Sequence, residues 1–254
     1  MRRFGCGKWA CAIAVLIPVA VCLPVQAAVL PTSAGGAIIT PVRHAHVQIE
    51  FAGKVIQVDP WNIAPSAMLK PADLILVTDV HSDHLDPGAI DRVKKASTQF
   101  VVPAAVGSRL GSTVVLSNGE RRVIDGVTVE AVPMYNVQRR GQDGALYHTK
   151  GRGNGYVLTL GDKRIYFSGD TECTPEVKAL ANIDVAFVSA NLPFTMPPSE
   201  AVECVKAFRP KVVYLYHYQQ QGIQPRNKNQ IDFAEGLKGE SGIEVRMPDF
   251  YPPR

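Results

Sequence analysis

The apolar positions along the chain fall into two textures. Val47, Ile49 and Phe51 alternate with Gln48 and Glu50, Gly53 interrupts, and Val55 to Val58 resumes the run. Alternation on both sides of a turn residue predicts a β-hairpin. Val123-Ile124, Asp125-Gly126 and Val127 to Val132 repeat the pattern, as do Tyr156 to Leu160, Gly161-Asp162 and Arg164 to Phe167. The two-residue Asp-Gly and Gly-Asp links suit tight hairpin turns. The second texture is the short unbroken apolar run: Leu74 to Val77, Phe100 to Val102, Val114 to Leu116, Val185 to Val188 and Val212 to Tyr216. Such runs read as strands buried on both faces.

Helix signals stand between those runs. Asp86 followed by Pro87, with Ile90 and Val93 beyond, predicts a capped helix. Others are expected from Pro103, from Thr174-Pro175 through Leu180, and from Pro198, where Ala201, Val202, Val205 and Phe208 share one face. Ile231, Ala234 and Leu237 suggest a last helix. Tyr135 to Asn154 is polar and contains glycine, and unstructured loops of about that length are often functional. Hairpins open each half and strand–helix alternation closes it. The expected fold is therefore α/β, with two mixed sheets and helices outside, in one domain.

The start of the chain has a different character. Arg2, Arg3 and Lys8 precede an apolar stretch from Trp9 to Val25, and Val25-Gln26-Ala27 has the small residues of a cleavage site. This predicts a secretory signal peptide over residues 1–27 and a mature domain over 28–254, exported to the periplasm or secreted. A retained membrane anchor fits less well, because Pro18 and Pro24 break a run already short for a span. The three basic residues of the leader, with no acidic ones, take the formal charge from +4 to +1. The mature surface then offers no basic block for nucleic acid. Of five cysteines only Cys173 and Cys204 lie beyond the leader. They are too few for a disulfide scaffold, though an oxidising compartment would let them pair. With 46% hydrophobic and 20% charged residues the chain is ordinary for a globular domain, not a disordered one.

Candidate chemistry gathers at strand ends. His81-Ser82-Asp83-His84 follows the Leu74 run, Ser168-Gly169-Asp170-Thr171 follows Phe167, and His217 follows Tyr216. Imidazole and carboxylate together suit a divalent transition metal, and three strand-end loops carrying them predict one shared site. His44 and His46, at a strand start, read as surface residues, and Cys173 as a packing residue. Tyr135, Arg139, Arg140, Lys150 and Arg152 give the long loop a positive cast that would suit an anionic substrate. No nucleophile elbow, P-loop or dinucleotide fingerprint is present in the sequence.

On these motifs the chain resembles the metallo-β-lactamase-fold hydrolases, from about Val42 to Arg246. Thr78 to His84 is similar to the family's H-x-H-x-D-H motif, Gly169-Asp170-Thr171 to its metal-bridging turn, and His217 to its last histidine. Asn191 to Met196 resembles the branch containing ascorbate-phosphate lactonases and phospholipase-D-like lipid hydrolases. The resemblance implies a four-layered αβ/βα sandwich holding one or two divalent ions, zinc or manganese. His81, Asp83, His84, Asp170 and His217 would be ligands, with Asp83 also orienting the nucleophile and Asp170 bridging two ions.

Two departures fall on the first metal position. Asp79 stands in place of the first histidine and Asn136 in place of the third. Either that position is lost, or it is remade from Asp79, Asn136 and His148 of the long loop, with a preference for harder ions than zinc. The expected activity is metal-activated hydrolysis of a small, anionic ester, lactone or phosphodiester. A true β-lactamase fits the altered position poorly. The rival is a non-catalytic periplasmic protein that binds a metal or ligand on the same fold.

Overall fold

The computed structural model describes residues 27–61, 69–110, 113–219 and 227–251. The leader expected over residues 1–27 lies outside them apart from Ala27. Two seven-stranded sheets are each laid down strictly in chain order. In the first, β1 (Ala28–Thr32), β2 (Gly35–Arg43), β3 (His46–Phe51) and β4 (Lys54–Val58) run antiparallel. From β4 on, β5 (Leu74–Leu76), β6 (Gln99–Val102) and β7 (Val114–Val115) are parallel, joined through α1 (Pro87–Val93) and α2 (Ala104–Leu110). The second sheet repeats the plan. Here β8 (Arg121–Ile124), β9 (Val127–Met134), β10 (Gly153–Leu160) and β11 (Lys163–Phe167) are antiparallel. Then β12 (Val185–Ser189), β13 (Val212–Tyr216) and β14 (Glu244–Arg246) are parallel, with α3 (Pro175–Lys178), α4 (Pro198–Phe208) and α5 (Lys228–Gly236) between them. This is the expected two-sheet α/β sandwich.

The unbroken apolar runs divide between two faces, as strand geometry requires. Leu74 and Leu76 enter the large core with Ile49, Ile56, Tyr156 and Phe187, whereas Ile75 and Val77 pack with Ile90, Val93 and Val106 beneath α1 and α2. The helices behave as their sequence signals suggest. Asp86 accepts from the Ala89 N–H at 3.1 Å and Thr174 from the Val177 N–H at 3.3 Å, each one residue before a proline. The expected helix to Leu180 ends earlier, at Lys178, after a single turn.

Three strands were not expected from the pattern. Pro31 and the glycines at 35 and 36 mask β1 and the start of β2, and β14 is only three residues long. The long loop closes two residues sooner than expected. Gly153 and Asn154, weak strand formers, pair with Met134 and Pro133 at the start of β10.

Candidate metal centre

The parallel strands deliver the polar residues to one place. Asp59 follows β4, the 78–84 segment follows β5, Ser168 to Asp170 follows β11, Asn191 follows β12 and His217 follows β13. Carboxyl ends of parallel strands are where open α/β sheets gather ligands. His148 and Arg152 come from the loop between β9 and β10, and His44 from the turn after β2. His44, Asp59 and His217 hold positive φ values of 58, 45 and 47°. Non-glycine residues adopt this region at a cost, and surrounding structure must hold them there.

Potential ligand atoms fall into three groups: Asp79, His81 and His148; His84, Asp170 and His217; and His44, Asp83 and His217. Asp170 links the first two. Its Oδ2 lies 3.4 Å from His84 Nε2 and 3.3 Å from His148 Nε2, and its Oδ1 lies 3.5 Å from His217 Nε2. His217 Nε2 also lies 3.3 Å from Asp83 Oδ2. His81 Nδ1 is 2.8 Å from Asp79 Oδ2, with the His81 ring at the open mouth. His84 Nε2, His148 Nε2 and Asp170 Oδ1 are buried without a hydrogen-bond partner. Buried polar atoms are nearly always satisfied, so three convergent exceptions point to a ligand.

The far side of each buried histidine shows why those nitrogens are bare. His84 Nδ1 lies 2.8 Å from Asp59 Oδ2, an acceptor, so Nδ1 keeps its proton and the neutral ring presents its lone pair at Nε2. Thr78 fixes Asp59 in turn, donating from N and Oγ1 at 2.8 and 2.6 Å. His148 Nδ1 lies 2.8 Å from Asn136 Oδ1. The Asn136 amide is oriented by donating Nδ2 to Glu172 Oε1 and the Phe194 carbonyl. His217 Nδ1 faces the Asn191 side-chain amide at 3.2 Å. The acceptors behind His84 and His148 fix the tautomer, the usual support of metal-binding histidines.

Charge gives the same answer. Burial raises the Asp79 carboxyl, but the His81 hydrogen bond and the charges of His84 and Arg152 outweigh it, bringing it down to about 2. Burial likewise opposes ionisation of Asp83, yet hydrogen bonds from His217 and His44 hold it below the ordinary carboxylate range. Asp170 is held well below that range because His217 and His84 outweigh its burial. Conversely, burial disfavours the charged form of His84, but Asp170 and Asp59 outweigh it and raise the imidazole well above its usual value. His217 is raised against burial by Asp170 and Asp83. The pocket thus collects anionic oxygens that draw protons onto its histidines, and a divalent cation would take the place of those protons.

The expected residues therefore converge, with corrections. Asn136 does not face the cluster, because its oxygen serves His148 and its nitrogen serves Glu172 and Phe194. His148, at 1% exposure, occupies the place expected of Asn136. His44 and His46 are not surface residues but are 8% and 0% exposed, since both faces of this sheet are covered. His46 is clear of the site and hydrogen-bonds Gln57. His44 belongs to it. Its Nε2 lies 3.1 Å from Asp83 Oδ2 and its Nδ1 2.7 Å from Tyr251 Oη. Cys173 is not simply packed but forms a disulfide with Cys204 of α4, with Cα atoms 5.5 Å apart. The sequence reading missed Asp59, although Val58-Asp59-Pro60 is one more carboxylate at a strand end.

Comparison with known proteins agrees with this geometry. The family described as the beta-lactamase superfamily domain matches residues 38–217. A UPF0173 metal-dependent hydrolase of Thermococcus onnurineus is 31% identical over 188 residues, covering 68% of this chain and 81% of that one. One from Methanopyrus kandleri is 28% identical and covers 84% and 96%. A crystal structure from Parabacteroides distasonis, assigned to the metal-dependent hydrolases, is 36% identical with a TM-score of 0.79 over 88% of this chain and 98% of its own. The chain belongs to the beta-lactamase superfamily domain family. Within it, the chain is a metal-dependent hydrolase whose subclass these relatives leave open.

Proposed function

We propose that the chain is exported and hydrolyses a small molecule at an ester, lactone or phosphodiester bond. It would use one or two divalent ions, zinc or manganese. The observation that carries this reading is the convergence of bare His84 Nε2, His148 Nε2 and Asp170 Oδ1. A cavity of about 270 Å³ lies beside them, lined among others by His81, Asp83, His148, Asp170 and His217. His84, Asp170, His217 and Asp83 would hold one ion; Asp79, His81 and His148 would hold the other, with Asp170 between them. An ion held there supplies Lewis acidity and lowers the pKa of water towards about 7.

The protein's own part is positioning. Asp59, Asn136 and the Asn191 amide fix the three buried imidazoles. Asp83, partly exposed at the cavity, would orient the attacking water. Asn191 and Phe194 form part of the substrate wall, and the cavity size favours a compact ligand. Charge selection would come from the ions. Arg139 pairs with Glu172 and Glu200, Lys150 with Glu176 and Arg152 with Asp79, so these three loop cations are already matched. Export is supported by the basic, apolar and small-residue order of residues 1–27 and by the disulfide, which an oxidising compartment preserves.

Elemental analysis of purified protein beside an esterase, lactonase and phosphodiesterase panel tests the reading. Bound zinc or manganese with chelator-sensitive turnover is expected. Metal without turnover on a broad panel would favour the non-catalytic alternative, and absence of metal would overturn the hydrolase reading and leave only a ligand-binding form of that alternative. N-terminal sequencing of protein from a bacterial periplasm should begin at about Ala28. An intact Met1 on a membrane-bound product would overturn cleavage after Ala27.

A further inference from the structure

The two metal groups are unequal, and the cause is a cation already built into one of them. Asp79 is fully buried, and both its oxygens are engaged by one guanidinium. Arg152 donates Nε to Oδ1 at 3.1 Å and Nη2 to Oδ2 at 2.9 Å. The fork is locked from behind, where Nη1 donates to the Tyr147 carbonyl at 2.9 Å. Paired, planar donors of this kind match a carboxylate better than any other side chain. Arginine also stays charged across the accessible pH range.

Across the cleft the balance differs. Asp83 and Asp170 have histidine partners and no arginine or lysine ion pair among the described residues. With neutral imidazoles, the group around His84 and His217 offers two uncompensated carboxylates. The group around His81 and His148 offers only Asp79, already neutralised by Arg152, and a share of Asp170.

We propose that Arg152 is an internal cation that keeps the first group from holding a divalent ion tightly, so that the chain retains one tight ion, in the second group. The proposal rests on the metal reading above and adds to it a reason for unequal occupancy. A second ion would have to approach a fixed guanidinium at a separation where like charges inside a protein repel strongly. The same ion pair keeps Asp79 from being a buried, unpaired charge, so the device also serves the fold.

The test is titration of metal-stripped protein with Mn²⁺ and with Zn²⁺, by calorimetry and by metal content after desalting. The wild type should show one tight equivalent, with any second at least roughly 100-fold weaker. Arg152→Gln should show two equivalents of comparable affinity, and its melting temperature should rise more on metal addition than that of the wild type. If Arg152→Gln folds only with Mn²⁺ or Zn²⁺ present, that requirement supports the proposal, because the ion then replaces the lost cation. The pair Arg152→Gln with Asp79→Asn should fold without metal and hold one equivalent. Two equally tight ions in the wild type, or one in Arg152→Gln, would overturn the proposal and leave the metal reading standing. No ion on either protein would remove both.

Discussion

Asn136 and His148, twelve residues apart, are joined by three hydrogen bonds. Asn136 N donates to the His148 carbonyl at 2.8 Å, His148 N donates to Asn136 Oδ1 at 2.7 Å, and His148 Nδ1 reaches the same oxygen at 2.8 Å. The loop between β9 and β10 is thus closed at its base by the contact that aims His148 Nε2 at Asp170. Glu172 tightens the same loop, accepting from the N–H groups of Val137, Gln138 and Arg139.

Removing the acceptor should therefore weaken the first metal group and not merely loop order. Asn136→Ala leaves His148 Nδ1 without its partner, which should lower affinity for the weaker ion, the one that His148 would hold with Asp79 and His81, about 10–100-fold. Far-ultraviolet circular dichroism should stay unchanged. Asn136→His should weaken binding in the same direction, since position 136 faces His148 and Glu172 rather than the ions. Tighter binding in Asn136→His would show that position 136 can reach the metal.

The disulfide holds the other side of the centre. Cys173 lies three residues beyond Asp170, and its bond to Cys204 ties the ligand loop to α4. The loop it closes has a sequence separation of 31 residues. Chain entropy then gives about 3–4 kcal/mol of stabilisation. Cys173→Ser with Cys204→Ser should lose stability of that order in urea unfolding. Reductant should bring the wild type down to the double variant and leave the variant where it is.

The members of the cluster were legible where sequence neighbours are also neighbours in space. His81, Asp83 and His84 share one short segment, and Asp170 and His217 each follow a strand whose apolar run is plain. The choice between Asn136 and His148 was not legible. It depends on how a loop folds back on itself, and nothing in the order of its polar residues fixes which one turns inward. His44 and His46 were misread for a different reason. Alternation predicts a sheet with one wet face, whereas the residues of β3 are almost all buried, including His46 and Gln48. The pairing of Arg152 with Asp79 spans 73 residues and has no local signal.

That buried His46 has a consequence for pH. Burial outweighs its hydrogen bond to Gln57 and lowers its pKa from 6.5 to about 4. Between those values the unfolded chain takes up a proton that the folded chain refuses. The stability is present above pH 6.5 and is lost as pH falls towards 4, by at most about 3 kcal/mol. His46→Gln should show a shallower fall in unfolding free energy between pH 7 and pH 4.5 than the wild type. Parallel pH profiles for the two proteins would contradict the assignment.

Gly169 separates backbone strain from damage to the site. It holds φ +59°, and a Cβ there would lie 2.5 Å from Met134 Sδ and 3.0 Å from Thr78 Cβ. Neither neighbour is free to yield. Met134 Sδ accepts the Asp170 N–H at 3.1 Å, and Thr78 holds the carboxylate of Asp59 that orients His84. Gly169→Ala must therefore shift Asp170 or the Thr78–Asp59–His84 chain, on top of the roughly 1 kcal/mol that a left-handed conformation costs an alanine. Gly126 is the matching control, with φ +83° and nothing within 4 Å of its Cβ position. Gly126→Ala should lose about 1 kcal/mol and keep its full metal content. Gly169→Ala should lose at least about 2 kcal/mol and bind metal measurably more weakly. Equal metal content in the two variants would mean that the turn before Asp170 can give way without disturbing the ligands it carries.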